Sequence, residues 1–191
     1  MSGMNNETRR VFHPFSPFVP PVCTSLLLGS FPGSRSTGDE APADDWYYGA
    51  SGNQFWPIMK VVFPGRALDS RQGRMALFAE MGMAVSDIIL SCIRLRGSNQ
   101  DRNLVERTYN TGAVEEILSA HPVKRIFFTG KGVEREFLKH FRCPQGVARI
   151  TLPSPSPAYF RMSKEEKAKR YMQEFRRTGL LPPARKPFLS P

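Results

Sequence analysis

The chain has 191 residues, of which 40% are hydrophobic and 23% are charged, and its formal net charge is +10 at pH 7. These values are ordinary for one globular domain and too polar for a protein made of membrane spans. The positive excess favours a polyanionic partner, nucleic acid above all, because binding phosphates releases counterions. Charge alone fits a basic protein without such a partner equally well.

The cysteines and histidines give no sign of a metal or a disulfide framework. Neither set contains a C-x-x-C pair or a metal-ligand spacing. The residues are Cys23, Cys92, Cys143, His13, His121 and His140. We therefore expect no metal ion, no iron–sulfur cluster and no other cofactor.

The chain is expected to be one domain over residues 1–191, with an N-terminal extension over residues 1–22 and a flexible tail over residues 181–191. The extension contains four prolines and lacks the apolar core of a signal peptide. We expect a monomer without membrane contact, located in the cytoplasm and associated with the bacterial nucleoid.

Predicted elements alternate along the first half of the chain. Residues 25–28 form an apolar run that ends at a glycine, which predicts a buried strand. Apolar residues recur at helical spacing over residues 54–63, and a second helix is predicted over residues 70–81. Residues 85–93 are rich in Ile, Leu and Val and predict one strand, followed by a basic loop over residues 94–102.

The second half continues the alternation. Asn110 or Thr111 begins a predicted helix, followed by a strand over residues 125–129. A helix over residues 133–141 and a strand over residues 148–152 come next. Such alternation predicts an α/β fold with a parallel sheet covered on both faces, whose ligands bind beyond the carboxyl ends of the strands.

The last helix has the clearest boundaries. Ser163 and Glu166 form an S-x-x-E capping box, and Gly179 stands where a left-handed C-terminal residue is expected. One face of this helix is apolar and the remainder is basic. A basic helix face agrees with a nucleic-acid partner.

Three loops contain the candidate functional residues. Residues 29–33 read G-S-F-P-G, a composition that by itself indicates a turn. In residues 47–57 aromatic side chains stand among glycines and the amide of Asn53, as a base extruded from a helix would require. Core packing is the favoured interpretation of Phe55 and Trp56, because they begin an amphipathic helix.

The third loop, residues 153–159, has three prolines in its first five positions. Prolines preset the backbone, so hydrogen-bond donors in this loop are held in place. Preorganised donors stabilise developing negative charge because they need not reorient during the reaction. The structural alternative is a proline-rich turn before a capped helix.

Together, the loops and residues 91–101, which read S-C-x-R-x-x-G-S-x-x-D, resemble the uracil-DNA glycosylase superfamily, specifically its hypoxanthine-DNA glycosylases and their mismatch-specific relatives. The resemblance covers residues 25–159 in the same order. It implies a three-layer α/β/α sandwich with a central, mainly parallel four-stranded sheet. It implies that Asn53 positions the hydrolytic water and that Tyr48 stacks on the base. The other implied base-binding residues are Gly29, Ser30, Phe31, Pro32, Gly33, Phe55, Thr129, Ser154, Pro155 and Ser156.

DNA contacts are expected beside these loops. Exposed basic residues would bind phosphates, and the bulky residues after the third loop would enter the gap left by a flipped base. The alternative is that Tyr159 and Phe160 staple the last helix. The expected DNA-binding residues are Arg35, Arg94, Arg96, Ser98, Tyr159, Phe160 and Arg161.

The chain departs from the family pattern at four places. Residues 50–52 read A-S-G where relatives have H-P-R, and Phe31 replaces the water-activating Asn of the mismatch-specific enzymes. Thr129 stands where relatives carry Asn, and the third loop lacks the histidine that acts on the leaving base in uracil-specific enzymes.

The expected reaction is hydrolysis of the N-glycosidic bond of a deaminated base, hypoxanthine or uracil, in DNA. No lysine is marked as a Schiff-base nucleophile, so a monofunctional enzyme is expected. Backbone N–H groups near Ser30, Phe31 and Ser154 would stabilise the anionic base. The alternatives are an inactive nucleic-acid-binding protein of the same fold and a nucleotide hydrolase, although neither a P-loop nor G-x-G-x-x-G is present.

Overall fold

A computed structural model describes residues 9–38 and 44–182. Seven strands and five α-helices occur in these ranges. In chain order they are β1 (Arg10–Phe12), β2 (Ser25–Gly29), α1 (Phe55–Val62), α2 (Arg71–Glu80), β3 (Met83–Asp87), β4 (Ile89–Arg94), β5 (Leu104–Tyr109), α3 (Thr111–Ala120), β6 (Arg125–Phe128), α4 (Lys131–His140), β7 (Ala148–Thr151) and α5 (Lys164–Arg177).

The central sheet has four parallel strands in the order β3-β2-β6-β7. Strand β2 is buried along its whole length, since its side chains meet helices on both faces. Leu27 belongs to a core cluster with α1, α2 and α5, whereas Leu26 and Leu28 belong to a second cluster with α3 and α4. The expected three-layer α/β/α sandwich with a four-stranded parallel sheet is confirmed.

A second sheet, antiparallel and ordered β1-β4-β5, was not expected from the sequence. The prediction of one strand over residues 85–93 is wrong, because the chain leaves the parallel sheet at Ile88 and enters the second sheet at Ile89. Ser86 and Asp87 interrupt the apolar residues just before this break, but neither Gly nor Pro marks it. Strand β1 brings part of the predicted N-terminal extension into the fold.

The helices agree closely with the sequence pattern. The capping box of Ser163 and Glu166 is present in both directions, and Gly179 has a φ of 75°. Ser70 caps α2 by accepting a hydrogen bond from the Gly73 backbone N–H. Asn110 precedes α3, but its side chain donates to the Ser86 hydroxyl instead of capping the helix.

Two absences concern the described residues alone. Within residues 9–38 and 44–182, no helix has the length and apolar character needed to cross a membrane. The same residues contain no group of three or more His, Cys, Asp or Glu side chains arranged to hold a metal ion. The predicted flexible tail lies, apart from its first two residues, outside the described residues.

Candidate functional site

The carboxyl ends of β2 and β3 meet at Gly29, where there is no room for a side chain. A Cβ atom at this position would lie 2.2 Å from Asp87 Oδ1 and 2.6 Å from Tyr48 Oη. Two polar atoms therefore converge over the Gly29 backbone, at the edge of a parallel sheet where ligands commonly bind. We call Gly29, Tyr48, Asp87 and His13 the Gly29 cluster.

Asp87 is a buried carboxylate with one oxygen engaged and one unpaired. Its Oδ2 lies 3.0 Å from His13 Nε2, and the two side chains are 6% and 3% exposed. Its Oδ1 is buried and has no hydrogen-bond partner among the described residues. Since a carboxylate only accepts hydrogen bonds, His13 Nε2 is the donor. An unpaired buried acceptor is costly, and such atoms are rare without a functional reason.

Tyr48 is held in a strained conformation beside this carboxylate. Its φ of 61° is left-handed, which is uncommon for an aromatic residue and frequent at functional sites. Its ring stacks on Phe55, with 4.2 Å between centroids and 23° between planes. Its hydroxyl is buried and makes no hydrogen bond of standard geometry with the described residues, although the Thr129 side chain lies close enough to act on its pKa. Burial, and then the charge of Asp87, raises the pKa of Tyr48, so the phenol keeps its proton and can donate.

Phe55 and Asn53 lie beneath and beside Tyr48. Phe55 is fully buried in the core, so it supports the Tyr48 ring from below. The Oδ1 atom of Asn53 accepts a hydrogen bond of 2.9 Å from the Phe55 backbone N–H, as a residue before a helix commonly does. The amide nitrogen of Asn53 donates to no described residue, and the catalytic role of Asn53 remains a prediction.

The first predicted loop, residues 29–33, is held by Arg94. The guanidinium of this buried arginine donates to Pro32 O at 2.7 Å and to Ser98 O at 3.0 Å. It also lies over the Phe31 ring, 5.6 Å from the centroid. Arg94 therefore connects two loops. Because its guanidinium is buried and already hydrogen-bonded, Arg94 is not among the proposed phosphate contacts.

Other residues of the first loop and its neighbours complete this edge of the sheet. Ser30 O accepts a hydrogen bond from the Ile89 backbone N–H at 3.1 Å. Gly33 approaches the Ala50 side chain, which a Cβ atom would meet at 3.2 Å. Thr129, at the end of β6, is buried, and its hydroxyl donates to Leu28 O at 3.2 Å.

The third predicted loop, residues 153–159, is called the proline loop below. Its hydroxyl oxygens are paired inside the loop: Ser154 Oγ accepts from the Ser156 N–H at 3.3 Å, and Ser156 Oγ accepts from the Ala158 N–H at 3.2 Å. Pro155 is buried, and its carbonyl accepts from the Gln54 N–H at 2.9 Å. The proline loop is therefore attached to the segment that carries Asn53.

The residues expected to contact DNA differ in exposure. Phe160 is 88% exposed, and Arg161, Arg35 and Arg96 are exposed as well. Tyr159 is half-buried and packs beneath the Lys167 ammonium. The exposure of Phe160 suits a side chain that enters DNA, whereas Tyr159 is engaged inside the protein.

The sequence did not indicate three residues of this site. Asp87 lies within an apolar run that reads as a continuous strand, and His13 belongs to a segment interpreted as an extension. Lys167 is one of many basic residues in α5 and has no distinguishing local pattern. For Asp87, the polar pair Ser86-Asp87 inside the apolar stretch was the signal that could have divided the predicted strand and placed Asp87 at a carboxyl end.

The fold and site thus define an α/β protein with a cluster of buried polar side chains at the carboxyl edge of a parallel sheet. No protein-family model and no curated protein matches the sequence. Among solved structures, the fold is similar to the solution NMR structure of a "putative Uracil DNA glycosylase" from Methanosarcina acetivorans. The TM-score is 0.62 at 20% sequence identity, over 85% of this chain and 98% of the other. This similarity concerns the fold.

Proposed function

We propose that the protein is a monofunctional DNA glycosylase that removes a deaminated base, hypoxanthine or uracil, from DNA. The observation that carries the proposal is the pair of unpaired buried atoms in the Gly29 cluster, Tyr48 Oη and Asp87 Oδ1. They lie at the carboxyl edge of the sheet, where ligands commonly bind, in a fold similar to that of a protein described as a "putative Uracil DNA glycosylase". The sequence resemblance noted above supports the same class.

The two atoms form a donor and an acceptor side by side, and this pattern selects a base edge. In this proposal the Tyr48 hydroxyl donates to a carbonyl oxygen at the edge of the base, in place of the stacking that the resemblance implied, and Asp87 Oδ1 accepts from a ring N–H. Hypoxanthine and uracil both present an adjacent C=O and N–H. Adenine and cytosine present an amino group and an unprotonated ring nitrogen instead. Adenine or cytosine in the same orientation would leave Tyr48 Oη and Asp87 Oδ1 buried and unpaired. Binding sites reject a ligand most strongly when it leaves their buried polar groups unpaired.

The reaction is the addition of water across the bond between C1′ of the sugar and the base. The bond electrons leave with the base, the water oxygen bonds to C1′, and a proton from the water ends on the released base. Asn53 is proposed to orient this water through its amide. Backbone N–H groups near Ser30, Phe31 and Ser154 are proposed to stabilise the departing anion.

Binding to DNA is proposed to depend mainly on phosphates. Arg35, Arg96 and Arg161 are exposed near the loops, and the net charge is +10. Affinity should therefore fall steeply as salt is added. Phe160 is proposed to enter the gap that the flipped base leaves in the duplex.

A panel of oligonucleotides tests the proposal. Single-turnover base release is measured on duplexes that differ in one base: uracil, hypoxanthine, xanthine, adenine, cytosine, guanine or thymine. Release of uracil or hypoxanthine, with adenine and cytosine untouched, is expected. Guanine and thymine share the C=O and N–H edge, so they show what the rest of the pocket excludes. Release of no base would contradict the proposal.

One observation favours a second candidate, a DNA-binding protein of the same fold without catalysis. Asn53 Oδ1 is already engaged with the Phe55 N–H, which fits a helix-capping residue with no further role. Such a protein would bind DNA containing uracil or hypoxanthine more tightly than undamaged DNA, yet leave it intact. The same panel, read by binding as well as by cleavage, separates the two candidates.

A further inference from the structure

Lys167 is a lysine in the protein interior, next to the proline loop. Its side chain is 0% exposed. The ammonium donates to Gln54 Oε1 at 2.8 Å and to Ser156 O at 3.3 Å, and lies 5.3 Å from the Tyr159 ring centroid. It thereby joins α5 to the proline loop and to the segment that leads into α1.

Its position is unfavourable for a positive charge unless something offsets the cost. No carboxylate among the described residues lies within ion-pair distance of Lys167. Desolvation lowers the pKa of its ammonium. Lys167 also lies in the first turn of α5, where the helix dipole opposes a cation. The neutral oxygens of Gln54 and Ser156 offset only part of this cost.

We infer that the Lys167 ammonium is a positioning residue that fixes the proline loop and, through its charge, stabilises the anion of the departing base. This inference rests on the proposed function. The proline loop contains no histidine, so no cationic side chain of the loop itself can face the base. A charge in a water-poor interior acts over a longer distance than one in solvent.

This role predicts how the enzyme responds to the acidity of the leaving base. A base made more acidic by fluorine carries its negative charge more readily and needs less help. Loss of the Lys167 charge should therefore slow the release of an unmodified base more than that of its fluorinated counterpart. A purely structural role would slow both equally, because the loop would be displaced for either base.

The experiment compares wild type with Lys167→Met on uracil against 5-fluorouracil, and on hypoxanthine against 2-fluorohypoxanthine, in single turnover. We expect Lys167→Met to slow the unmodified base about 10²-fold and the fluorinated base about tenfold. If melting shows that this variant is unfolded, Lys167→Gln is measured instead, with the same expectation. Equal loss on both bases would overturn the inference and leave the proposed function intact.

Two matched variants separate charge from structure. Lys124→Met removes an exposed positive charge next to the amino end of β6, at the opposite edge of the sheet, and should leave the ratio between the two bases unchanged. Gln54→Leu breaks the same bridge but keeps the ammonium, so it should slow both bases equally. A base-dependent loss in Gln54→Leu would overturn the role of the charge. Absence of release by wild type would overturn both the proposed function and this inference.

Discussion

The Gly29 cluster and the proline loop lie at the same edge of the parallel sheet, but their polar groups are satisfied in opposite ways. In the cluster, Tyr48 Oη and Asp87 Oδ1 are buried without partners among the described residues. In the proline loop, the hydroxyl oxygens of Ser154 and Ser156 accept hydrogen bonds from the loop's own backbone. The cluster thus holds side-chain atoms free to pair with a ligand, whereas the side chains of the proline loop are engaged, and its carbonyls are bonded to Lys167, Tyr171 and Gln54.

This difference indicates that the Gly29 cluster recognises the base and that the proline loop supports the site. Unpaired buried groups lower stability until a ligand pairs them, as expected where binding specificity originates. A loop whose polar groups are hydrogen-bonded to itself and to its neighbours is held in place, and preorganised donors need such rigidity. Removal of the unpaired Tyr48 hydroxyl should therefore change activity without loss of stability.

The largest effect is expected from Asp87→Asn. The change replaces an acceptor-only group by an amide at nearly the same volume, so the pairing with the base N–H and with His13 is altered. Base release should slow by about 10³-fold, whereas affinity for DNA should persist because phosphates dominate it. Single-turnover cleavage and a binding titration measure the two quantities. Asp69→Asn, on the exposed surface, is the control, and a wild-type rate for Asp87→Asn would remove this carboxylate from base recognition.

Asn53→Ala tests the next largest effect and decides between two roles. The catalytic role predicts that base release slows by about 10²-fold. The hydrogen bond to the Phe55 N–H predicts instead a loss of about 1 kcal/mol in the free energy of unfolding.

Asn53→Asp makes the distinction sharper, because it keeps the oxygen that accepts from Phe55 and removes the amide nitrogen. A slow but stable Asn53→Asp protein supports the catalytic role. A destabilised Asn53→Ala protein, together with wild-type rates in both variants, would make Asn53 a helix cap only.

Tyr48→Phe is expected to have a smaller effect on rate and none on stability. Only the hydroxyl is lost, so the stacking on Phe55 remains and base release should slow by about tenfold. Because the Tyr48 hydroxyl has no partner among the described residues, the melting temperature should stay equal or rise. Tyr171→Phe, which removes a hydroxyl bonded to Pro153 O, should be destabilising and serves as the comparison. A fall in melting temperature for Tyr48→Phe would mean that the Tyr48 hydroxyl already has a hydrogen-bond partner in the free protein.

Phe160→Ala should produce the smallest effect, confined to duplex DNA. An exposed side chain contributes little to folding, so the melting temperature should not change. Release from duplex should slow by roughly fivefold, because the gap left by the flipped base is no longer filled, while release from single strands should be unaffected. Equal slowing on both substrates would show that Phe160 acts within the pocket and not on the helix.

Local sequence pattern determined the helices and the parallel sheet of this protein. Hydrophobic periodicity located α1, and the capping box of Ser163 set the start of α5 to the residue. Short apolar runs that end in Gly or polar residues located β2, β6 and β7. Each of these signals lies within a single helix or strand, so it can be recognised without knowledge of the rest of the chain. The loop that contains Tyr48 was marked by its composition.

Only the tertiary structure decided which polar groups meet. Asp87, Tyr48 and His13 are separated by tens of residues in sequence, and they converge because parallel strands end at one edge and β1 pairs with β4. The break at Ile88 likewise depends on the partners of β3 and β4, since the chain contains neither Gly nor Pro at this point. Whether a charge is exposed or buried is a property of its surroundings, and Lys167 has neighbours from two other parts of the chain. Contacts between distant segments produce no periodic pattern in a single sequence. The meeting of the polar groups, the break at Ile88 and the burial of Lys167 could therefore be seen only in the tertiary structure.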